Sequence, residues 1–320
     1  MKKNFIIGAV LSAVMLLSAC GSSTGAAKTS VRLATGGNTG TYYAFGTAFG
    51  QVIGEKAGVT FNIQSTGASK ANIQLIEAGE VEMAIVQNDV MDYAFNGTDL
   101  FEADGKVEGF SAMSAVYAEV VQIVANPDAG ITSIADLKGK RVSIGDAGSG
   151  VEFNAKQILA GYGITFDDIE KQNLSFGASA DAFKDGKIDA FFATAGAPTT
   201  AIMDLVTSRE ITILGVEPDK AASLMAAHPF YTEFVIPGGT YTGVDEDVTT
   251  LAVKATFIVK DTVDEDTVYK ITKAMFDNQA ALAQSHAKGK EINTTYAVEG
   301  ISIPFHPGAL KYFKEIGAIK

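Results

Sequence analysis

One order of elements occurs twice in this chain, and it restricts the fold to alternating strands and helices. Val31-Arg32-Leu33-Ala34 is a short strand-like run. Thr35-Gly36-Gly37-Asn38-Thr39-Gly40-Thr41 is a turn of glycines and hydroxyls, and residues 42–53 then carry apolar side chains at helical spacing. A strand over 59–64, the turn Ser65-Thr66-Gly67, a helix over about 69–78 and a strand over 81–87 complete the first copy. The order recurs from residue 141. Arg141-Val142-Ser143-Ile144 leads into Gly145-Asp146-Ala147-Gly148-Ser149-Gly150 and a helix over about 151–160, followed by a strand near 173–176, a helix to Lys184 and a strand over 188–194. Gly79 in Ala78-Gly79-Glu80-Val81-Glu82 and Gly186 in Asp185-Gly186-Lys187-Ile188-Asp189 sit alike, each ending a helix before a strand.

Alternation of this kind predicts an α/β fold with a mainly parallel sheet in each copy. Ligands are then expected at the carboxyl ends of the strands, where the turns open into helices. Two such lobes facing one another make a cleft. Largely apolar runs over 116–125 and 253–259 are the candidate hinge crossings, which sets lobe one at 31–120 plus 256–320 and lobe two at 121–255.

Lys2 and Lys3, an apolar run over 5–17 and Leu17-Ser18-Ala19-Cys20 read as a secretory signal over residues 1–20. The run is about 13 residues, short of the roughly 20 needed to span a bilayer. Residues 17–20 resemble a bacterial lipobox, so Cys20 is the expected lipidation site and residues 21–30 a flexible tether. Cys20 is the only cysteine, which excludes an internal disulfide and a cysteine metal site. The net charge is −12, and −14 once Lys2 and Lys3 are removed (25 − 2 basic against 37 acidic residues), which argues against nucleic acid or anionic headgroups as partners.

Glycine and hydroxyl residues just before a helix leave backbone N–H groups pointing out of the positive helix end, which suits a carboxylate. The same glycines also serve plain tight connections; their recurrence in both copies favours a ligand role. The three arginines stand outside these turns: Arg32 and Arg141 start strands and Arg209 follows a helix. Tyr42, Tyr43 and Phe153 follow the turns and could cover a ligand's apolar body. Neither turn has the spacing of a nucleotide-phosphate loop. His228, His286 and His306 are far apart without metal-ligand spacing, and Ser149 lacks the flanking pattern of a nucleophile elbow. No catalytic group, cofactor or metal is expected.

The segments Ala34-Thr35-Gly36-Gly37-Asn38-Thr39-Gly40-Thr41-Tyr42-Tyr43, Ser65-Thr66-Gly67-Ala68-Ser69 and Ala84-Ile85-Val86-Gln87-Asn88-Asp89 closely resemble, in order, the TAXI-type substrate-binding proteins of TRAP (tripartite ATP-independent periplasmic) transporters. So do Asp136-Leu137-Lys138-Gly139-Lys140-Arg141-Val142, Gly148-Ser149-Gly150, Asp185-Gly186-Lys187-Ile188-Asp189-Ala190, Ala195-Gly196-Ala197-Pro198, Ile236-Pro237 with Tyr241, and Pro304-Phe305-His306-Pro307-Gly308-Ala309. The resemblance covers essentially the whole mature chain. It implies a two-lobed periplasmic-binding-protein (type II-like) fold joined by a hinge, a monomer by default, and an extracytoplasmic receptor without enzymatic activity. Such a receptor delivers a small carboxylate or amino acid, glutamate- or glutamine-like, to TRAP membrane subunits driven by an ion gradient. By motif position it implies ligand contacts from Gly37, Thr39, Thr41, Tyr42, Ser65, Thr66, Ser69, Gln87 and Asp89 in lobe one, and from Ser149, Gly150, Phe153 and Gly196 in lobe two. Asp89 is then the candidate partner for a ligand amine. An ABC-type solute-binding protein, a ligand-sensing receptor component and a two-domain enzyme of similar fold are the alternatives.

Overall fold

A computed structural model describes residues 29–320; the signal segment, Cys20 and residues 21–28 of the tether lie outside the described residues. The chain runs β1 (Thr29–Ala34), α1 (Thr41–Ala57), β2 (Val59–Gln64), α2 (Ser69–Glu77), β3 (Met83–Gln87), α3 (Asn88–Asn96) and the long β4 (Phe110–Ala125). The second copy is β5 (Arg141–Ser143), α4 (Gly150–Gly161), β6 (Glu170–Gln172), α5 (Phe176–Lys184) and β7 (Ala190–Ala195). Then follow α6 (Thr200–Leu205), β8 (Thr212–Leu214), α7 (Pro218–Ala227), β9 (Thr232–Ile236) and β10 (Val248–Lys260). The chain closes with α8 (Glu265–Asp277), α9 (Gln279–Ser285), α10 (Thr294–Val298) and α11 (Pro307–Glu315). The strand expected near 173–176 lies three residues earlier. Asn173 leaves the sheet to donate to the Gly145 carbonyl (3.1 Å), and Ser175 caps α5 by accepting from the Ala178 N–H, so Phe176 is already helical.

This is an α/β fold with a mixed sheet flanked by helices. Its strands are joined in the order β2-β1-β3-β10-β4-β7-β5-β6, with β8 on β4 and β9 on β10. Within each copy the pairing is parallel, β2–β1–β3 and β6–β5–β7. The long strands are antiparallel to their neighbours and to each other, so β4 and β10 join the two parallel halves.

Apolar burial divides at that junction. One cluster packs Phe45, Phe49 and Ile53 of α1 against Tyr117, Phe257 and the C-terminal helices; another packs Val121, Ile123, Ile158 and Phe192 below the second copy. Burying each such Phe or Ile fully is worth roughly 1.5–3 kcal/mol. Along β4 the allegiance changes between Tyr117 and Val120, and along β10 between Val253 and Ala255. Next to this change Ala255 faces Tyr117 while Thr256 faces Ala115, so Val116 is an extra residue, a β-bulge that bends the strand.

The two copies are also tied down alike. Arg32 in β1 forks onto Glu82 and donates to the Gly79 carbonyl (3.0 Å); Arg141 in β5 forks onto Asp189 and donates to the Gly186 carbonyl (2.7 Å). Gly79 (φ 74°) and Gly186 (φ 66°) adopt the left-handed conformation that aims those carbonyls. Both arginines are therefore spent inside their own copy, at the opposite end of the strands from the glycine-rich turns.

Candidate functional site

The carboxyl ends of β1 and β3 meet those of β5 and β7 across one pocket. It is lined by Gly36, Gly37, Thr39, Gly40, Thr41 and Tyr42 from the first turn, and by Ala68, Ser69 and Gln87 from the ends of β2 and β3. Asp146, Ser149, Gly150, Val151 and Phe176 line it from the second copy, with Glu119 of β4 and Thr194 and Ala195 of β7. The cavity measures ≈ 40 Å³.

The turns differ in how they use their backbone donors. Gly40 closes the first turn by donating to the Gly37 carbonyl (2.9 Å) and stands extended before α1 with no side-chain cap, so the first-turn N–H groups of α1 are uncommitted. Ser149 caps α4 by accepting from Glu152 N–H (3.2 Å), while Glu152 reaches back to Gly148 N–H (2.7 Å). Ala68, just before α2, stands at φ 68°, ψ −146°, a backbone region almost reserved for glycine that costs about 1–3 kcal/mol. The Thr66 hydroxyl accepts from its N–H at 3.2 Å and holds it there.

Buried polar atoms lacking a partner gather here. Among the described residues these are Tyr42 Oη, Gln87 Oε1, Tyr117 Oη, Glu119 Oε1 and Thr194 Oγ1. Four belong to lining residues, and the Tyr117 hydroxyl lies beside the Glu119 carboxyl. Such a group left unmade costs about 1–3 kcal/mol, so their convergence marks a place where the fold forgoes stability. Glu119 is 2 % exposed, and burial holds its carboxyl well above the usual carboxylate range. Burial likewise raises Asp146.

The two copies touch around the pocket. Thr41 Oγ1 donates to the Gly196 carbonyl (3.0 Å) and Ala201 N–H to the Thr39 carbonyl (3.3 Å). Gln87 Nε2 donates to Asn154 Oδ1 (2.8 Å), and Asn154 Nδ2 donates to Asp89 (3.0 Å) and to the Tyr231 hydroxyl (2.9 Å). Gly150 has no room for a side chain: a Cβ would stand 1.4 Å from Gln87 Oε1.

Eight of the thirteen sequence-derived ligand residues line the pocket: Gly37, Thr39, Thr41, Tyr42, Ser69, Gln87, Ser149 and Gly150. Five stand behind it, for physical reasons. Ser65 and Thr66 spend their hydroxyls on the carbonyls of Gly36 and Thr35 (3.0 Å each), bracing the first turn. Asp89 faces Asn154 and Val90 N–H in the interior, where burial raises its pKa to about 6. Phe153 packs edge-on against Tyr93 (5.0 Å), and Phe176 supplies the aromatic wall instead. Gly196 lies one residue past β7, where its carbonyl takes the Thr41 hydroxyl. Glu119 and Thr194 escape sequence reasoning because both sit inside apolar strands. The one available signal is a lone carboxylate in the apolar run over 110–125. His286 and His306 accept backbone N–H groups of Lys288 and Gly308 (3.2 Å each).

Among the described residues no helix is long and apolar enough to cross a membrane. Solved structures share the architecture. PhnD1 from Prochlorococcus marinus, in complex with methylphosphonate, superposes with a TM-score of 0.57 at 8% identity over 91% of this chain and 100% of that one. A putative L-cystine ABC transporter protein from Listeria monocytogenes gives 0.51 at 16% identity over 84% and 98%. A binding protein component of an ABC phosphonate transporter from Pseudomonas aeruginosa gives 0.51 at 12% over 82% and 79%. At these identities the likeness is one of fold, that of the periplasmic binding proteins. Family membership follows from the sequence, since the NMT1-like family model matches residues 33–317: this chain belongs to the NMT1-like family.

Proposed function

We propose that the protein is an exported, Cys20-anchored receptor that captures a small carboxylate or amino acid, glutamate- or glutamine-like, and delivers it unchanged to a membrane transporter. Lobe one (31–120 plus 256–320) and lobe two (121–255) close on the solute by bending at β4 and β10. One observation carries this reading: partnerless buried polar atoms of four lining residues converge on a pocket that faces the starts of α1 and α4. A solute that pairs two of those atoms removes a cost of about 2–6 kcal/mol. Each helix start adds about 0.3–1 kcal/mol for a carboxylate, more when desolvated.

The membrane partner has two supports. The ordered motifs running from Ala34 to Ala309 resemble TAXI proteins and favour TRAP subunits. The fold neighbours that are ABC transporter components favour an ABC permease, and they are the broader support. Uptake into vesicles bearing the cognate permease separates them: ATP dependence selects the ABC reading, and dependence on a sodium gradient selects TRAP.

Capture itself is tested by thermal shift of the protein against short carboxylates, amino acids and sugars, with an extrinsic dye because the chain has no Trp. A ligand at 100 times its dissociation constant adds about 2.7 kcal/mol. A shift with glutamate-like compounds is expected. No shift with any carboxylate or amino acid, after unfolding and refolding to strip bound solute, defeats the reading.

A further inference from the structure

The lining of the pocket has an unequal charge inventory. It holds two carboxyl side chains, Glu119 and Asp146, and no lysine, arginine or histidine. The nearest cation to Glu119 is Lys288, itself 6 % exposed, and its Nζ is bonded to Glu291 Oε1 (2.6 Å), whose other oxygen accepts Ala118 N–H (2.9 Å). Glu119 is left with Oε1 unpartnered beside two tyrosine hydroxyls, those of Tyr42 and Tyr117, that also lack partners. It stands on β4 opposite Val253 of β10, where the two crossing strands meet.

Two kinds of polarity therefore face each other: backbone donors at the starts of α1 and α4, and a buried carboxyl on the crossing strand. A molecule with a carboxylate at one end and an ammonium beside it satisfies both. One with carboxylates alone sets like charge against Glu119. We propose that Glu119 is the acceptor for the solute's protonated amine, which makes it the residue that selects α-amino acids over their deaminated analogues. This deepens the proposed capture function and rests on it. Burial disfavours the charged form of the Glu119 carboxyl, and an ammonium placed beside it favours that form by Coulomb attraction.

The test is isothermal titration at pH 7.5 with matched pairs: L-glutamate against 2-oxoglutarate and glutarate, L-glutamine against its 2-oxo analogue, and L-leucine against its 2-oxo analogue. For whichever skeleton binds, the amino acid is expected to bind at least about 100-fold more tightly than the amine-free partner, on the scale of one buried charged hydrogen bond. In Glu119→Gln the preference is expected to fall below about 10-fold through loss of amino-acid affinity, a ratio that a purely structural defect would leave unchanged. The wild-type comparison needs no variant, so a poorly folding Glu119→Gln leaves the proposal testable. Equal affinity of the wild-type protein for an amino acid and its amine-free partner overturns the role of Glu119 and leaves solute capture standing, as does a Glu119→Gln protein that keeps the full preference. Binding to none of these or other short carboxylates overturns both.

Discussion

Gly150→Ala gives the sharpest reading of closure, because the added methyl meets a side chain of the other copy. Its Cβ would stand 1.4 Å from Gln87 Oε1 and 2.4 Å from Gln87 Cδ, so Gln87 must swing away. Doing so breaks the buried bond to Asn154 (2.8 Å), worth about 1 kcal/mol. It also forces Gln87 off its favoured rotamer for about 1 kcal/mol more. Under the closure proposed above, Gln87 and Gly150 part when the lobes open, so the sum of about 2 kcal/mol falls on the closed form alone and is expected as a roughly 30-fold weaker dissociation constant. Titration calorimetry with the captured solute measures that constant, and urea unfolding of the solute-free protein measures stability. Unchanged affinity in the variant would refute the reasoning, showing that the Gln87–Gly150 contact plays no part in closure.

Asp89 carries a pH signature. Its pKa is raised by burial from 3.8 to about 6, so the folded form binds the proton more tightly than the unfolded one. Its contribution is therefore lost as pH rises from about 4 through 6, to a total of about 3 kcal/mol; urea unfolding at pH 4 and 7 is expected to show that decline reduced in Asp89→Asn, and equal declines would contradict it. Ala68→Gly relieves a conformation at φ 68°, ψ −146° and is expected to stabilise the protein by about 1 kcal/mol after the extra freedom of the unfolded chain is subtracted. A lower urea midpoint would count against it. Arg32→Ala and Arg141→Ala each break an ion pair within one copy, so both are expected to lower the thermal midpoint while leaving solute affinity within about twofold. A large affinity loss would place an arginine in binding.

Much of the fold is legible because its signals are local. The turn over 35–41 and that over 145–150 need glycine for their backbone and a helix immediately after, and both facts are written in adjacent residues. The apolar spacing of Tyr42, Phe45, Phe49 and Ile53 marks the buried face of α1 in the same way. Elements that lack such punctuation, α3 directly after β3 and the short strands β8 and β9, carry no comparable mark. β8 takes its place by pairing with β4, from far earlier in the chain, and β9 by pairing with the next strand, β10.

By itself, then, the sequence determined the doubled strand–turn–helix pattern, the two turns that face the pocket and the withdrawal of the arginines from them. Each of these depends on neighbours a few residues away. Only the tertiary structure decided which hydroxyls brace and which line: Ser65 and Ser69 belong to one motif, yet only Ser69 reaches the pocket, because the Gly36 carbonyl takes the Ser65 hydroxyl. It alone also brought Glu119 to the pocket, because β4 and β10 cross there. Burial of a lone carboxylate is a property of what surrounds it, and Tyr42, Lys288 and Glu291 arrive from segments 77 to 172 residues away.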